Sequence, residues 1–203
     1  MVELGYKNIW EKGYFYLSGF HKIVNGTITR IATIVPGNTI IYNIFQNAGR
    51  SYNTGGELLI QQELAPWLSM NISSTIYQNT INAFTVQNQY PVPTIYTMRK
   101  ESILSGNLKW NAQLKLAKKT DIQLSATYLA PDLIPQGKIG SRFSADLGIK
   151  KQIQNGKGEL FINGNDIFNT LKIKRDVNGN GFRLTSTDYY ETQIFRLGYS
   201  YKF

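Results

Sequence analysis

The residues able to do chemistry are few and poorly placed for it. His21 is the single histidine, and the 203 residues contain no cysteine. A histidine-based triad, a multi-histidine metal centre and a thiolate nucleophile are therefore excluded within the chain. The 13 acidic residues are scattered. Glu57, Glu63, Asp146 and Asp166 fall in segments that read as strands, and no two of them are spaced as a general acid and base. No G-x-x-x-x-G-K-[ST] phosphate loop occurs. Asp176-Val177-Asn178-Gly179-Asn180-Gly181 has oxygen-bearing side chains at alternate positions and a glycine at the sixth, as a calcium loop begins. The position that should bring a bidentate Glu is Thr187. The stretch reads better as a hairpin tip, because Asn and Gly tolerate positive φ. The chain offers no catalytic residue, no metal ligand set and no cofactor site, and is expected not to be an enzyme.

The elements that would position any site are strands. From Leu104 to Leu116, the residues Leu104, Gly106, Leu108, Trp110, Ala112, Leu114 and Leu116 alternate with Ser105, Asn107, Lys109, Asn111, Gln113 and Lys115. A helix would scatter both sets around its circumference, whereas a strand puts each on its own face. Ile122, Leu124, Ala126 and Tyr128 repeat the pattern, as do Phe143, Ala145, Leu147 and Ile149. The last segment is the cleanest, with Phe195, Leu197, Tyr199, Tyr201 and Phe203 alternating with Arg196, Gly198, Ser200 and Lys202. The predicted strands are 2–10, 13–35, 38–64, 67–84, 95–117, 121–136, 141–154, 158–176 and 182–203. They exceed the five or six residues usual in soluble sheets and meet the roughly 9–11 that a membrane-crossing strand needs.

The breaks are of two alternating kinds. Tight ones fall at Glu11-Lys12-Gly13, Ala65-Pro66, Lys118 to Asp121 and Asn155 to Gly158. Variable ones fall near Val35-Pro36-Gly37-Asn38, Thr85 to Thr94, Pro135 to Gly140 and Asp176 to Gly181. Short periplasmic turns alternating with longer outer loops are the habit of outer-membrane barrels. No stretch is apolar for the 18–20 residues of a membrane helix, and the N-terminus shows no signal-peptide pattern. The net charge is +9. The basic residues are dispersed, densest at Lys118-Lys119, Lys150-Lys151 and Lys172/Lys174/Arg175, with no basic helix or arm. Nucleic acid is not an expected partner. The aromatics Tyr14, Phe15, Tyr16, Trp67, Trp110, Tyr128, Tyr189, Tyr190, Tyr199, Tyr201 and Phe203 suit interfacial girdles.

Two stretches carry a family resemblance. The terminal Phe203, closing the alternation through Phe195, Leu197, Tyr199 and Tyr201, resembles the C-terminal strand signature that the barrel-assembly machinery reads. Gly158-Glu159-Leu160-Phe161-Ile162-Asn163-Gly164-Asn165-Asp166-Ile167-Phe168-Asn169-Thr170 resembles the penultimate strand of TonB-dependent receptor barrels of the Bacteroidetes type. Its most telling part is Asp166, Ile167, Phe168, Asn169 and Thr170. Tyr128-Leu129-Ala130-Pro131, Gln136-Gly137, Asp146 to Lys151, and Gly55-Gly56-Glu57-Leu58 before Trp67-Leu68-Ser69 are similar to that family too. The resemblance covers most of the chain and is densest from Tyr96 onward.

The resemblance implies an all-β, antiparallel, up-and-down transmembrane barrel, here a partial barrel of about nine strands at its C-terminal end, without the plug domain. It implies the bacterial outer membrane, with outer-membrane lipid and the barrel-assembly machinery as partners. In full-length form it adds a plug domain, the TonB energy-coupling complex and a small-molecule or glycan ligand. The function implied is uptake of a scarce nutrient such as an iron chelate, a vitamin or a glycan, by a chain that as a fragment could not transport alone. Ligand contacts are expected on the loops at 85–95, 137–140 and 177–187. Two alternatives stay open: a complete small outer-membrane barrel with a structural or adhesive role, and a soluble all-β binding module.

Overall fold

Segments that alternate apolar and polar side chains satisfy two different surroundings only when extended and paired. A computed structural model, describing residues 1–35 and 37–203, shows how they pair. In chain order the strands are β1 (Val2–Trp10), β2 (Gly13–Asn25), β3 (Ile28–Ile34), β4 (Ile41–Asn47), β5 (Arg50–Ala65), β6 (Leu68–Ile81), β7 (Phe84–Asn88), β8 (Thr94–Met98), β9 (Glu101–Leu116), β10 (Thr120–Leu129), β11 (Asp132–Ile134), β12 (Gly137–Ile139), β13 (Arg142–Ile153), β14 (Gly158–Asn165), β15 (Lys172–Gly179), β16 (Phe182–Tyr189) and β17 (Ile194–Tyr201). Nine of them form one antiparallel meander in the order β1-β2-β5-β6-β9-β10-β13-β14-β17. The others form two hairpins, β3-β4 and β7-β8, and a small sheet β11-β12-β15-β16.

The nine expected strands thus recur as the nine wall strands, with one refinement. The runs 13–35, 38–64, 95–117, 121–136, 158–176 and 182–203 are each split into a wall strand and an outer strand, while 67–84 and 141–154 are wall strand almost throughout. Between β2 and β3, and between β4 and β5, the splits use glycines in the left-handed region, Gly26 at φ 66° and Gly49 at φ 71°. Pro131 separates β10 from β11, having no N–H to continue the ladder. The expected run 158–176 is broken at 166–171, so Asp166 lies beyond β14 rather than within a strand. The expected break near Val35 to Asn38 includes Pro36, which lies outside the described residues; the Asn38 N–H donates to the Val35 carbonyl at 3.0 Å. The Asp176–Gly181 stretch is mostly strand, turning at Asn180-Gly181 with Gly181 at φ 80°. It is a hairpin, and no cluster of metal-binding side chains occurs among the described residues.

Register separates the two faces. Tyr6, Leu17, Leu58, Ser74, Leu108, Tyr128 and Phe143 are successive cross-strand partners. One residue along, the row reads Lys7, Tyr16, Leu59, Ser73, Lys109, Thr127 and Ser144. Cross-strand partners share a face, so the wall has one greasy side and one wet side. The greasy side is bare. Leu4 is 83% exposed, Leu104 71% and Leu197 76%, and Leu108 and Tyr199 are exposed as well. They do not meet in a dry interior, which overturns the reading as a soluble all-β module. The total surface is 13078 Å², where a compact monomer of 23.0 kDa would expose about 9,600 Å².

Dimensions fit a bilayer. Leu104 to Leu116 on β9 spans twelve residue steps, about 40 Å along the strand and about 31 Å when tilted by about 40°. The hydrocarbon layer is about 30 Å. The nine-stranded sheet is open, β1 and β17 each having one neighbour.

Candidate functional site

Besides small wall residues such as Ser18, Ser105, Ala112 and Ala145, what is buried lies mostly above the wall, where the outer strands meet. Ile31, Ala32, Thr33, Asn88, Met98, Leu133 and Gln136 are all buried. Leu133 of β11 packs with Ile81 and Met98, against Phe84, Tyr96 and Ile103. Ile81 and Ile103 stand on the polar face by register. The β11-β12 hairpin therefore folds over the wet side of the sheet. Polar contacts hold it there. Tyr77 Oη and Asn79 Nδ2 of β6 donate to the two oxygens of Asp132, each at 2.7 Å.

The hairpin tip reaches the far side of the cap. The Gln136 amide pairs with the backbone of Ala32 as a strand edge would. Its Oε1 accepts the Ala32 N–H at 2.5 Å and its Nε2 donates to the Ala32 carbonyl at 3.0 Å. A buried amide with both functions satisfied fixes geometry. The Gln136 carbonyl accepts the Asn178 N–H at 2.7 Å. Tyr96 Oη donates to the Pro135 carbonyl at 3.0 Å. Burial, and then the charge of Glu101, raises the Tyr96 pKa, so the phenol stays protonated as this bond requires.

Three clefts open around this tip. One of about 460 Å³ is lined by Arg30, Asn43, Arg175, Ser186, Asp188 and Tyr190, over a floor that includes Ile134 and Leu184. Arg175 is paired with Asp188, while Arg30 lies over the Phe45 ring at 5.1 Å. A second cleft, of about 420 Å³, offers Tyr96, Glu101, Lys138, Asp176, Asn178 and Arg183. A third, of about 390 Å³, lies among Thr33, Asn88, Thr94, Tyr96 and Asn180. Polar side chains over an apolar floor suit capture of a small hydrogen-bonding solute. The segments 85–95, 137–140 and 177–187 all contribute to these clefts. The hairpin β3-β4 contributes too, through Arg30, Ala32 and Asn43, and sequence reasoning missed it. Its run from Ile28 to Ile34 reads as the continuation of a wall strand, and only Gly26 hints at the break.

The residues singled out by resemblance lie elsewhere. Phe195, Leu197, Tyr199 and Tyr201 line the exposed apolar face of β17, and Phe203 follows them, exposed. Asp166, Ile167, Phe168, Asn169 and Thr170 form a tie between strands. The Asp166 carboxylate accepts the backbone N–H groups of Thr170 at 3.0 Å and Leu171 at 3.1 Å, and the Thr192 hydroxyl at 2.7 Å. The Asp166 N–H donates to Asp146 Oδ1 at 2.8 Å. Thr170 Oγ1 donates to the Phe143 carbonyl at 2.8 Å, and the Ile167 N–H to that of Ala145 at 2.8 Å. Asp166 at φ 43° and Asn169 at φ 54° bend the chain to make this possible. Phe168 points outward, 63% exposed. The cluster ties β14 to β13 and to the start of β17.

Several expected girdle residues move. Tyr14 and Tyr16 sit on the wet face, with Lys7 Nζ over the Tyr14 ring at 4.4 Å and Tyr16 Oη donating to Glu3 at 2.8 Å. Trp110 lies mid-strand on the apolar face. Trp67 and Tyr199 remain exposed near the tight turns, where Trp10 joins them by donating to Gln62 Oε1 at 2.8 Å. His21 is a wall residue, its Nδ1 2.7 Å from Thr54 Oγ1 and its ring stacked on Tyr52.

A search of curated proteins and a search of solved structures each returned no match. The model of one family, described as the outer membrane protein beta-barrel family, matches residues 1–201. With its long two-faced strands and bare apolar side, the chain belongs to the outer membrane protein beta-barrel family and takes its place in the outer membrane.

Proposed function

We propose that this chain is the C-terminal part of the wall and cap of a TonB-dependent outer-membrane receptor, which takes up a scarce nutrient such as an iron chelate, a vitamin or a glycan. The observation that carries this reading is the inward fold of β11-β12 over the wet face, anchored by Asp132 on Tyr77 and Asn79. A wall with only a structural or adhesive role has no need of a polar roof with clefts around it. The Asp166–Thr170 tie, whose sequence resembles the receptor family's penultimate strand, supports the same reading.

Strand direction favours a partial wall over a complete small barrel. In an antiparallel meander of nine, β1 and β17 run the same way. Closing the sheet on itself would need a parallel seam, whereas bacterial outer-membrane barrels close antiparallel with an even count. In the whole receptor further strands complete the barrel, a plug domain fills it, and the energy-coupling complex drives release. The barrel-assembly machinery reads the Phe195–Phe203 strand. The whole receptor binds and passes the solute, which this part of the wall does not transport alone, and the chain catalyses no reaction.

The test is uptake in cells lacking the gene, using labelled iron chelates, cobalamin and oligosaccharides. Loss of one solute class, restored by the gene and abolished by a proton uncoupler, is expected. Uptake that persists with the uncoupler overturns energy coupling, and unchanged uptake of every class overturns the transport role.

A further inference from the structure

On the rim of tight turns, five lysines stand together with no acidic partner among the described residues. Lys118 and Lys119 lie in the turn between β9 and β10, Lys151 near the end of β13, Lys157 just before β14 and Lys202 just after β17; all are exposed. Backbone bonds place these segments side by side. The Lys119 carbonyl accepts the Gln152 N–H at 3.0 Å, and the Lys157 carbonyl accepts the Lys202 N–H at 2.8 Å. Lys151 lies opposite Thr120. Two side-chain carboxylates are close, and both serve another lysine. Glu159 pairs with Lys150 at 2.8 Å, and Asp121 faces Lys150 in register. The far half of the rim, with Glu11, Lys12 and Glu63, has no such surplus.

The cluster also sits where the apolar band ends. Lys151 continues the face that carries Leu147 and Ile149, and exposed Leu160, Tyr199 and Tyr201 flank it. Tyr199 Oη donates to Gln154 Oε1 at 2.7 Å, inside the same turn. A lysine at such an edge lays its stem along hydrocarbon and lifts its ammonium into the headgroup layer, the level that tyrosines also mark.

We propose that this rim segment is a binding site for anionic glycerophospholipid, the ammonium groups of Lys118, Lys119, Lys151 and Lys157 meeting the headgroup phosphodiester. Tight turns face the periplasm in these barrels, so the lipid is a phosphatidylglycerol-like molecule of the inner-facing leaflet. The site is independent of any transported solute.

The test uses the whole protein that carries this chain, extracted in mild detergent, equilibrated with equal phosphatidylglycerol and phosphatidylcholine, and read by native mass spectrometry. Retention of phosphatidylglycerol about tenfold or more above phosphatidylcholine is expected, given the strength of lysine clusters near charged surfaces. K118Q/K119Q/K151Q/K157Q brings the ratio close to one, the matching four-arginine variant keeps it, and K172Q/K174Q on the outer hairpin leaves it unchanged. Wild type loses the preference when exchange is run in about 1 M salt, where screening acts within about 3 Å. This arm decides the matter even if the glutamine variant fails to fold. A wild-type ratio near one, a preference indifferent to salt, a glutamine variant that folds and keeps its preference, or lipid A displacing phosphatidylglycerol overturns the proposal.

Discussion

The Tyr77 phenol donates to Asp132 Oδ2 at 2.7 Å, joining the wet face of a wall strand to the hairpin that crosses above it. Asp132 also receives Asn79 on its other oxygen and its neighbour's N–H, from Leu133, at 2.8 Å. Asp132→Ala leaves these donors unpaired, at about 1–3 kcal/mol for the local fold. Limited proteolysis should cut within 130–141 faster, while the wall's heat-modifiable mobility on a gel stays as in wild type.

Gln136 presents the companion case at the other end of the same hairpin. Gln136→Glu puts a carboxylate where an amide donor meets the Ala32 carbonyl, at a position only 5% exposed. A loss of roughly 2–4 kcal/mol in cap stability is expected. Hydrogen exchange at 28–34 should quicken, with β5 and β6 unaffected.

The two faces of the wall answer differently to charge. Leu108→Arg on the apolar row should cost about 2–4 kcal/mol when the site is near the bilayer midplane. Asn107→Arg, one residue away on the wet row, should cost less than about 1 kcal/mol. Folding yield into vesicles across a urea series compares them, and equal penalties would mean the faces have been assigned wrongly.

Glycine keeps one seam of the wall closed. The Phe161 ring lies over Gly198 on the neighbouring strand, where a Cβ would collide with it. Gly198→Ala should lower the stability of the folded species by about 1–3 kcal/mol. Adding Phe161→Ala should restore part of that loss, read as recovery of the heat-modifiable band.

Asp166 predicts a pH response. Burial opposes its charge, but the hydrogen bonds from Thr192 and from the N–H groups of Thr170 and Leu171 outweigh it, and its pKa lies below the ordinary carboxylate value. A group depressed on folding contributes stability above its unfolded pKa and loses it as pH falls through the folded one. Protection of the Thr170 and Leu171 amides, taken against the unstructured rate at each pH, should therefore be unaffected by this group from neutrality down to about pH 4, and fall below that. Asp166→Asn should flatten the response.

Much of the wall could be read from side chains alone, because period two is a one-dimensional signal. Leu104 to Leu116 announces both its strand and its faces, and the tight turns at Lys118 and Gln154 fall where the alternation stops. The cap could not be read that way. Ile31 is fully buried though it lies in a run that looks like more wall, and Gln136 meets Ala32 across 104 positions of sequence. Such contacts depend on how far a hairpin leans, which local pattern does not encode. Tyr14 and Tyr16 depart from expectation for a related reason: aromatic type suggests a membrane girdle, but register alone decides which face a ring occupies.

The glycine breaks at Gly26 and Gly49 have a further bearing. They bend the β2-β5 ladder without breaking it: the Gly26 N–H donates to the Gly49 carbonyl and the Ala48 N–H to the Thr27 carbonyl, each at 2.8 Å, so β3-β4 carries the pairing of the wall hairpin outward in the same register. Residues can be exchanged at the tip of this hairpin without sliding a pair in the sheet below, whereas an insertion in one arm alone would bulge the shared ladder. The recognition surface is thereby free to diversify quickly while the part that must survive insertion into lipid stays as it is.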